Sequence, residues 1–211
     1  MTAAHLDQET KAVHAIIKAG RIASARGWVP ATSGNFSTRI DERTVAITRS
    51  GRDKGGLAPE DIVALALDEP LPKGVSAEAP LHFSLYARDP KINAVFHVHS
   101  PAAALLSRLH ENRAFLRLKG WELQKAFAGV TTHETAIEVP IFANDQDMGA
   151  LAKRVEQALF EEILDTTRAP GYLLAGHGLY AWGASAADAE RHLDAFDALF
   201  ALELEMMRIS R

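Results

Sequence analysis

Apolar residues recur along this chain at two spacings, 3.6 and 2, and the change from one to the other lays out its elements. Residues 7–26 put Val13, Ile16, Ile17 and Ala23 on one face, with Gly27 as a stop, which predicts a helix. Residues 35–40 and 44–48 read as strands joined by Asp41, Glu42 and Arg43, an antiparallel hairpin. A further strand is expected over 62–67, and a helix over 79–88 halted by Asp89 and Pro90. A buried strand follows over 92–98, then a helix over 101–110 with Pro101 in its first turn. Residues 137–142 predict a strand, and 147–164 a helix capped by Asn144 or Asp145. Short strands over 172–175 and 179–182 flank Gly176, His177 and Gly178. A long helix from Ser185 closes the chain, with Ala186, Ala189, Leu193, Phe196, Leu199 and Phe200 at helical spacing. This order predicts an α/β chain with a central, largely antiparallel sheet covered by helices. It is not a repeating βαβ unit, and no Gly-x-Gly-x-x-Gly occurs.

Composition narrows the picture. At 211 residues and about 150 per domain, one domain spanning 1–211 is expected. Apolar residues at 47% and charged residues at 24% are ordinary globular usage. The net charge of −4, with no basic cluster larger than Arg49, Arg52 and Lys54, argues against a nucleic-acid partner. No apolar stretch has the length of a membrane span, and the first residues lack the pattern of a secretory signal. A cytoplasmic protein without a membrane partner is therefore expected. Cysteine is absent, which excludes disulfide scaffolds, thiolate nucleophiles and iron–sulfur centres. A transition metal would have to be held by His, Asp or Glu.

Nine histidines make that worth pursuing. His97 and His99 stand two apart at the end of an apolar strand, so their side chains share a face, as chelation of a divalent ion requires. The alternative is a pair of half-buried imidazoles bonded to backbone. His177, between two glycines, either sits exposed at a hairpin tip or adds a third ligand, giving the three-ligand, open-position pattern of catalytic zinc. The remaining six (His5, His14, His82, His110, His133 and His192) read as surface or core residues. Small polar turns at Thr32–Asn35, at Ser50, Gly51 and Lys54, and at Ser76 to Glu78 are either simple caps and turns or a cradle for phosphate. Glu78 opens a helix and Glu122 follows Trp121; each reads as a solvated helix-end charge or as an acid/base tuned by a neighbouring cation. Met206 and Met207 read as helix-end packing, with an apolar pocket for a thioether as the alternative.

Ser33-Gly34-Asn35, Ser50-Gly51, Ser76-Ala77-Glu78, His97-Val98-His99-Ser100 and Gly176-His177-Gly178 follow one another in the order of the class II aldolase/adducin-head family. The chain resembles that family over nearly its whole length. Residues 30–37, 48–54 and 176–183 carry a narrower likeness to its bacterial methionine-salvage dehydratases. The resemblance implies a three-layer α/β/α sandwich, a homotetramer, and one Zn²⁺ per subunit held by His97, His99 and His177. It implies phosphate binding by the early turns, with Ser33, Gly34, Asn35, Ser50, Gly51, Lys54 and Ser76 as candidates. In the family's aldolases the Glu matching Glu78 is the acid/base near the metal, whereas the dehydratases use a Glu at the place of Glu122. Glu122 is the expected acid/base here, and Glu78 the second choice.

The implied substrate is a 2-keto, 3,4-dihydroxy sugar phosphate with a 5-methylthio group, which loses water to become a 2,3-diketone. A sugar-phosphate aldolase or 4-epimerase is the enzymatic rival. Against cleavage stands the lack of the aldolases' tyrosine near the C-terminus, since the last tyrosine is Tyr180. An adducin-head-like structural module is the non-enzymatic alternative, and it would have no need of the three histidines.

Overall fold

Strand periodicity sorts the side chains onto the two faces of one sheet. The computed structural model describes residues 3–161 and 167–210. Its strands are β1 (Asn35–Arg39), β2 (Thr44–Thr48), β3 (Ile62–Ala66), β4 (Ala94–Val98), β5 (Phe115–Leu118), β6 (Ile137–Phe142), β7 (Thr167–Arg168), β8 (Gly171–Leu174) and β9 (Gly178–Gly183). They lie in the order β3-β2-β1-β4-β9-β8-β6-β5, with β7 against β6. Among the described strands only β6 runs parallel to neighbours, namely β7 and β8; the other pairings are antiparallel. The predicted β1–β2 hairpin forms, with Ser37 opposite Ile47.

The helices are α1 (Ala3–Ala25), α2 (Ala79–Arg88), α3 (Pro101–Leu109), α4 (Met148–Phe160) and α5 (Ala186–Ile209). Phe36, Phe96, Val98, Leu173, Leu179 and Ala181 point to one face, where they pack with Ile16, Leu106, Phe196 and Phe200 from α1, α3 and α5. Val45, Val95, Tyr172, Leu174 and Tyr180 point to the other, against Leu81 and Leu85 of α2 and Leu151 and Val155 of α4. The result is the expected three-layer α/β/α sandwich with a largely antiparallel centre. Each fully buried phenylalanine or leucine contributes about 1.5–3 kcal/mol. No helix among the described residues is long and apolar enough to cross a membrane.

Some boundaries move. The first helix begins at Ala3, and β4 begins at Ala94, because the N–H of Ile92 closes a turn onto Asp89. Helix α4 is capped by Asp147, whose carboxylate accepts from Ala150 N at 2.9 Å; neither Asn144 nor Asp145 serves as the cap. The expected continuation of that helix through 162–164 lies outside the described residues. Strands β5 and β7 were not expected. In β5 the exposed Phe115 breaks the apolar-in, polar-out alternation that would have marked it.

Candidate metal centre

Two structural junctions build the centre. His97 is the penultimate residue of β4 and faces α2, and His99 follows where the strand leaves the sheet. The backbone N–H of His99 is held by Trp28 O at 2.8 Å. His177 sits in the turn between β8 and β9, next to β4. Gly178 permits this approach: a Cβ there would come within 2.3 Å of Val98 O and 3.1 Å of His97 Cε1. On the other side of His97, a Cβ on Gly34 would lie 2.6 Å from its carbonyl oxygen, and Gly34 also has φ +75°.

The three imidazoles converge. His99 Nε2 is 2.9 Å from His97 Nε2 and 3.0 Å from His177 Nε2. Glu78, just before α2, adds a carboxylate with Oε1 3.1 Å from His177 Nε2 and Oε2 3.5 Å from His97 Nε2. One donor atom from each of the four lies within 4.8 Å of the rest. Three ring nitrogens and a carboxylate crowded this closely require protons or a cation between them. His97 Nδ1 donates to Leu179 O at 3.0 Å, which leaves its Nε2 lone pair facing the cluster. Burial pushes His97 well below the usual imidazole range, and burial with the neighbouring His177 lowers His99 to about 4. Neutral imidazoles and an ionised carboxylate are the protonation states that bind a divalent ion. The donor set therefore suits a metal such as zinc. His97 is fully buried, while Glu78 and His177 keep 17% and 14% of their side chains exposed, so one side of the cluster meets solvent.

Glu78 does not cap its helix. Burial alone would raise its carboxyl pKa, but a hydrogen bond from His177, the fields of His97 and His177 and the amide of Asn35 outweigh that and hold it far below the usual range. Asn35 Nδ2 donates to Glu78 Oε2 at 2.6 Å and to Ser76 Oγ at 3.2 Å. Asn35, expected among the phosphate-binding residues, here directs its amide nitrogen at Glu78 and Ser76.

The three polar turns meet beside this cluster. Lys54 is almost fully buried, and its ammonium donates to Thr32 O at 2.8 Å and Arg52 O at 2.6 Å, tying the first turn to the second. Arg49 bridges Val75, and Ser50 N donates to Gly74 O, tying the second to the third. Burial lowers the pKa of Lys54, opposed by Asp53 and Glu78, and its charge also reaches His99. Ala31 and Thr32 take left-handed φ values of 52° and 62°, a conformation costing about 1–3 kcal/mol per residue. The buried Ser33 hydroxyl has no hydrogen-bond partner among the described residues. Ser33, Gly34, Ser50, Gly51, Lys54 and Ser76 therefore belong to one region.

Glu122 is elsewhere. It opens the short helical turn Glu122–Ala126, is 71% exposed, and pairs with Lys125 at 2.5 Å and His133 at 3.4 Å. Its turn lies along α5, with Trp121 Nε1 donating to Glu203 at 2.7 Å. Within this chain it is not part of the four-donor group. Met207 packs against the core and Met206 is exposed. His82, read from the sequence as a surface or core residue, is wholly buried and bonds to Asn35 directly behind the cluster. Its spacing of four from Glu78 was the signal available, because it puts both on one helical face.

Comparison with known proteins agrees with this architecture. A methylthioribulose-1-phosphate dehydratase from Bradyrhizobium sp. is 55% identical over 198 residues, covering 93% of this chain and 92% of that protein. A second protein so named, from Parvibaculum lavamentivorans, is 48% identical over 194 residues, covering 92% and 93%. The crystal structure of L-fuculose-1-phosphate aldolase from Thermus thermophilus superposes with a TM-score of 0.75 at 28% identity, over 94% of this chain and 96% of that one. The model of the class II aldolase and adducin N-terminal domain matches residues 14–204. The chain belongs to that family.

Proposed function

We propose that this chain is a hydro-lyase that converts 5-methylthioribulose 1-phosphate to 5-methylthio-2,3-dioxopentyl phosphate in methionine salvage, with one Zn²⁺ per subunit. The observation that carries this reading is the convergence of His97, His99, His177 and Glu78 on one point, open on one side and bordered by the Lys54 region. The near-full-length likeness to proteins named methylthioribulose-1-phosphate dehydratase gives the substrate.

His97, His99 and His177 would hold the ion, which supplies Lewis acidity at the ketose oxygens when bound. Glu78, beside them, is suited to act as a fixed anion. The Asn35 amide and the adjoining imidazoles favour its ionised form, which keeps a negative charge beside the ligands. The region of Ser33, Gly34, Ser50, Gly51, Lys54 and Ser76 receives the phosphate, with the Lys54 ammonium as its positive charge. Glu122 takes the C3 proton and returns it to the departing C4 hydroxyl. Since Glu122 lies outside the cluster of its own chain, it acts on the site of a neighbouring subunit in a homotetramer. Leu105, Leu109, Met206 and Ile209 are exposed on α3 and α5, the apolar surface such an assembly would cover, and the Glu122 turn lies along the same α5. A cytoplasmic location fits this chemistry.

Retro-aldol cleavage, the activity named for the Thermus neighbour, is the second reading. The relatives at 48% and 55% identity that are named dehydratases favour dehydration over it. Incubating purified protein with methylthioribulose 1-phosphate and identifying the product by mass tests the proposal. Loss of one water to give the diketone is expected, and release of an aldehyde, or no product, would overturn it.

A further inference from the structure

Behind the cluster runs a buried polar chain that neither the proposed ligands nor the proposed acid/base uses. Its members are Asn35 and Ser37 of β1 and His82 and Tyr86 of α2, all almost or wholly buried. His82 Nε2 is 2.5 Å from Asn35 Oδ1, and His82 Nδ1 is 2.7 Å from Ser37 Oγ. Ser37 Oγ is 2.9 Å from the Tyr86 hydroxyl.

The direction of every bond follows from one end. The Glu78 carboxylate only accepts, so Asn35 turns its NH₂ towards it and presents Oδ1 to His82. Oδ1 only accepts as well, so His82 carries its proton on Nε2 and accepts at Nδ1. Ser37 directs its hydroxyl proton to that nitrogen at 2.7 Å in preference to Val95 O, the longer contact at 3.3 Å, and Tyr86 donates to Ser37. All the protons point towards Glu78. The opposite tautomer would set a bare Nε2 against Oδ1 at 2.5 Å, and a flipped Asn35 would set its oxygen against the carboxylate at 2.6 Å. Either arrangement leaves two buried acceptors face to face, with the full cost of unmade hydrogen bonds. Burial also lowers the pKa of His82 to about 4, so the ring is neutral at pH 7 and the choice is between tautomers alone.

We propose that His82 is a positioning residue: as its Nε2–H tautomer it locks the Asn35 amide with the NH₂ towards Glu78, and so fixes that carboxylate against the three imidazoles. The inference rests on the reading of the cluster as a metal centre and adds a residue on which its geometry depends. Hydrogen-bond partners one step behind a metal ligand typically change affinity or activity about 10–100-fold when removed.

The test has two readouts, one of which needs no metal. Imidazole ¹⁵N NMR of the wild-type protein at pH 7 should show His82 as the neutral Nε2–H tautomer; an Nδ1–H or doubly protonated ring overturns the proposal. His82→Leu should lose about 10–100-fold in both Co²⁺ affinity and kcat at saturating metal. His82→Gln, which can offer an N–H to Asn35, should recover most of both. In an Asn35→Ala background His82→Leu should cost nothing further, since the two act through one bond. Unchanged Co²⁺ affinity in His82→Leu, no recovery in His82→Gln, or additive losses would each overturn the positioning role. Should His82→Leu fail to fold, Ser37→Ala, which removes the hydrogen bond that holds His82 Nδ1 and so loosens the ring against Asn35, should weaken Co²⁺ binding several-fold, and an unchanged affinity there overturns it too. Wild-type protein that binds Co²⁺ but forms no diketone sinks the proposed reaction and leaves this inference standing on affinity and tautomer. Wild-type protein that binds no Co²⁺ overturns both.

Discussion

Glu78 and Glu122 are the same residue type at the start of a helical segment, yet their surroundings differ in almost every respect. Glu78 is 17% exposed, faces His97 and His177, and receives a hydrogen bond from a buried asparagine that is itself held by His82. Glu122 is 71% exposed and meets the exposed side chains of Lys125 and His133. A charge fixed on every side is suited to holding a metal geometry, because its ionisation does not change during turnover. A charge with only surface partners could be re-set by a neighbouring subunit in the proposed tetramer. Hydrogen bonding to Lys125 lowers the Glu122 pKa on the isolated surface, and covering the carboxylate would raise it towards the range where it can exchange protons. The proposed division, constant charge at Glu78 and proton transfer at Glu122, rests on this difference.

Three substitutions would break or sharpen this contrast. The largest effect is expected for Glu122→Gln, with kcat down by about 10²–10⁴ while bound zinc and thermal midpoint stay at wild-type values. Mixing this variant with inactive His97→Ala protein and allowing subunits to exchange should restore part of the activity, because some sites then pair an intact metal centre with an intact Glu122. Full activity in Glu122→Gln would remove that residue from the mechanism. Glu78→Gln comes next, with zinc affinity reduced about 10–100-fold, measured by chelator competition. If affinity held and only kcat fell, the roles of the two carboxylates would have to be exchanged.

The smallest effect concerns stability in acid, and it separates the rigid region from the exposed one. Burial lowers His82 from 6.5 to about 4, and His97 and His99 move in the same direction. The unfolded chain therefore takes up protons at higher pH than the folded one. The stability held by these neutral rings is fully present above pH 6.5 and falls as pH drops towards 4. His82 accounts for about 3 kcal/mol of this at most. Urea unfolding of metal-free protein at pH 7.5, 5.5 and 4.5 should show the loss. It should be smaller in His82→Gln and unchanged in Glu122→Gln. An equal acid loss in His82→Gln would contradict the assignment.

Much of this was legible in the residues, for reasons that can be named. His97 and His99 announce themselves because strand geometry puts alternate side chains on one face, and His177 because its flanking glycines permit a close turn. The β1–β2 hairpin follows from the clean alternation around Asp41, Glu42 and Arg43. What stayed hidden depends on contacts between residues distant in sequence. Lys54 reads as part of a polar turn that could cradle phosphate, but its burial, made tolerable by carbonyls from residues 32 and 52, has no local sign. Asn35 reads as part of a phosphate turn, yet its amide is claimed by Glu78 and Ser76, more than forty residues away. His82 lies between Leu81 and Leu85 in a core-facing helix, and its partners on β1 appear only when α2 packs across that strand. Glu122 carries no local sign of where it acts, because its own chain gives it only surface neighbours.

The claim beneath all of this is that three imidazoles, from β4, the residue just beyond its end and the β8–β9 turn, hold one metal ion that substrate can reach. The visible spectrum of the cobalt-loaded protein, recorded before and after addition of methylthioribulose 1-phosphate, tests it most directly. One cobalt per chain is expected, with bands that shift as the ketose binds, and with no bands in His97→Ala. Absence of bound cobalt, or a spectrum unmoved by substrate, would contradict it.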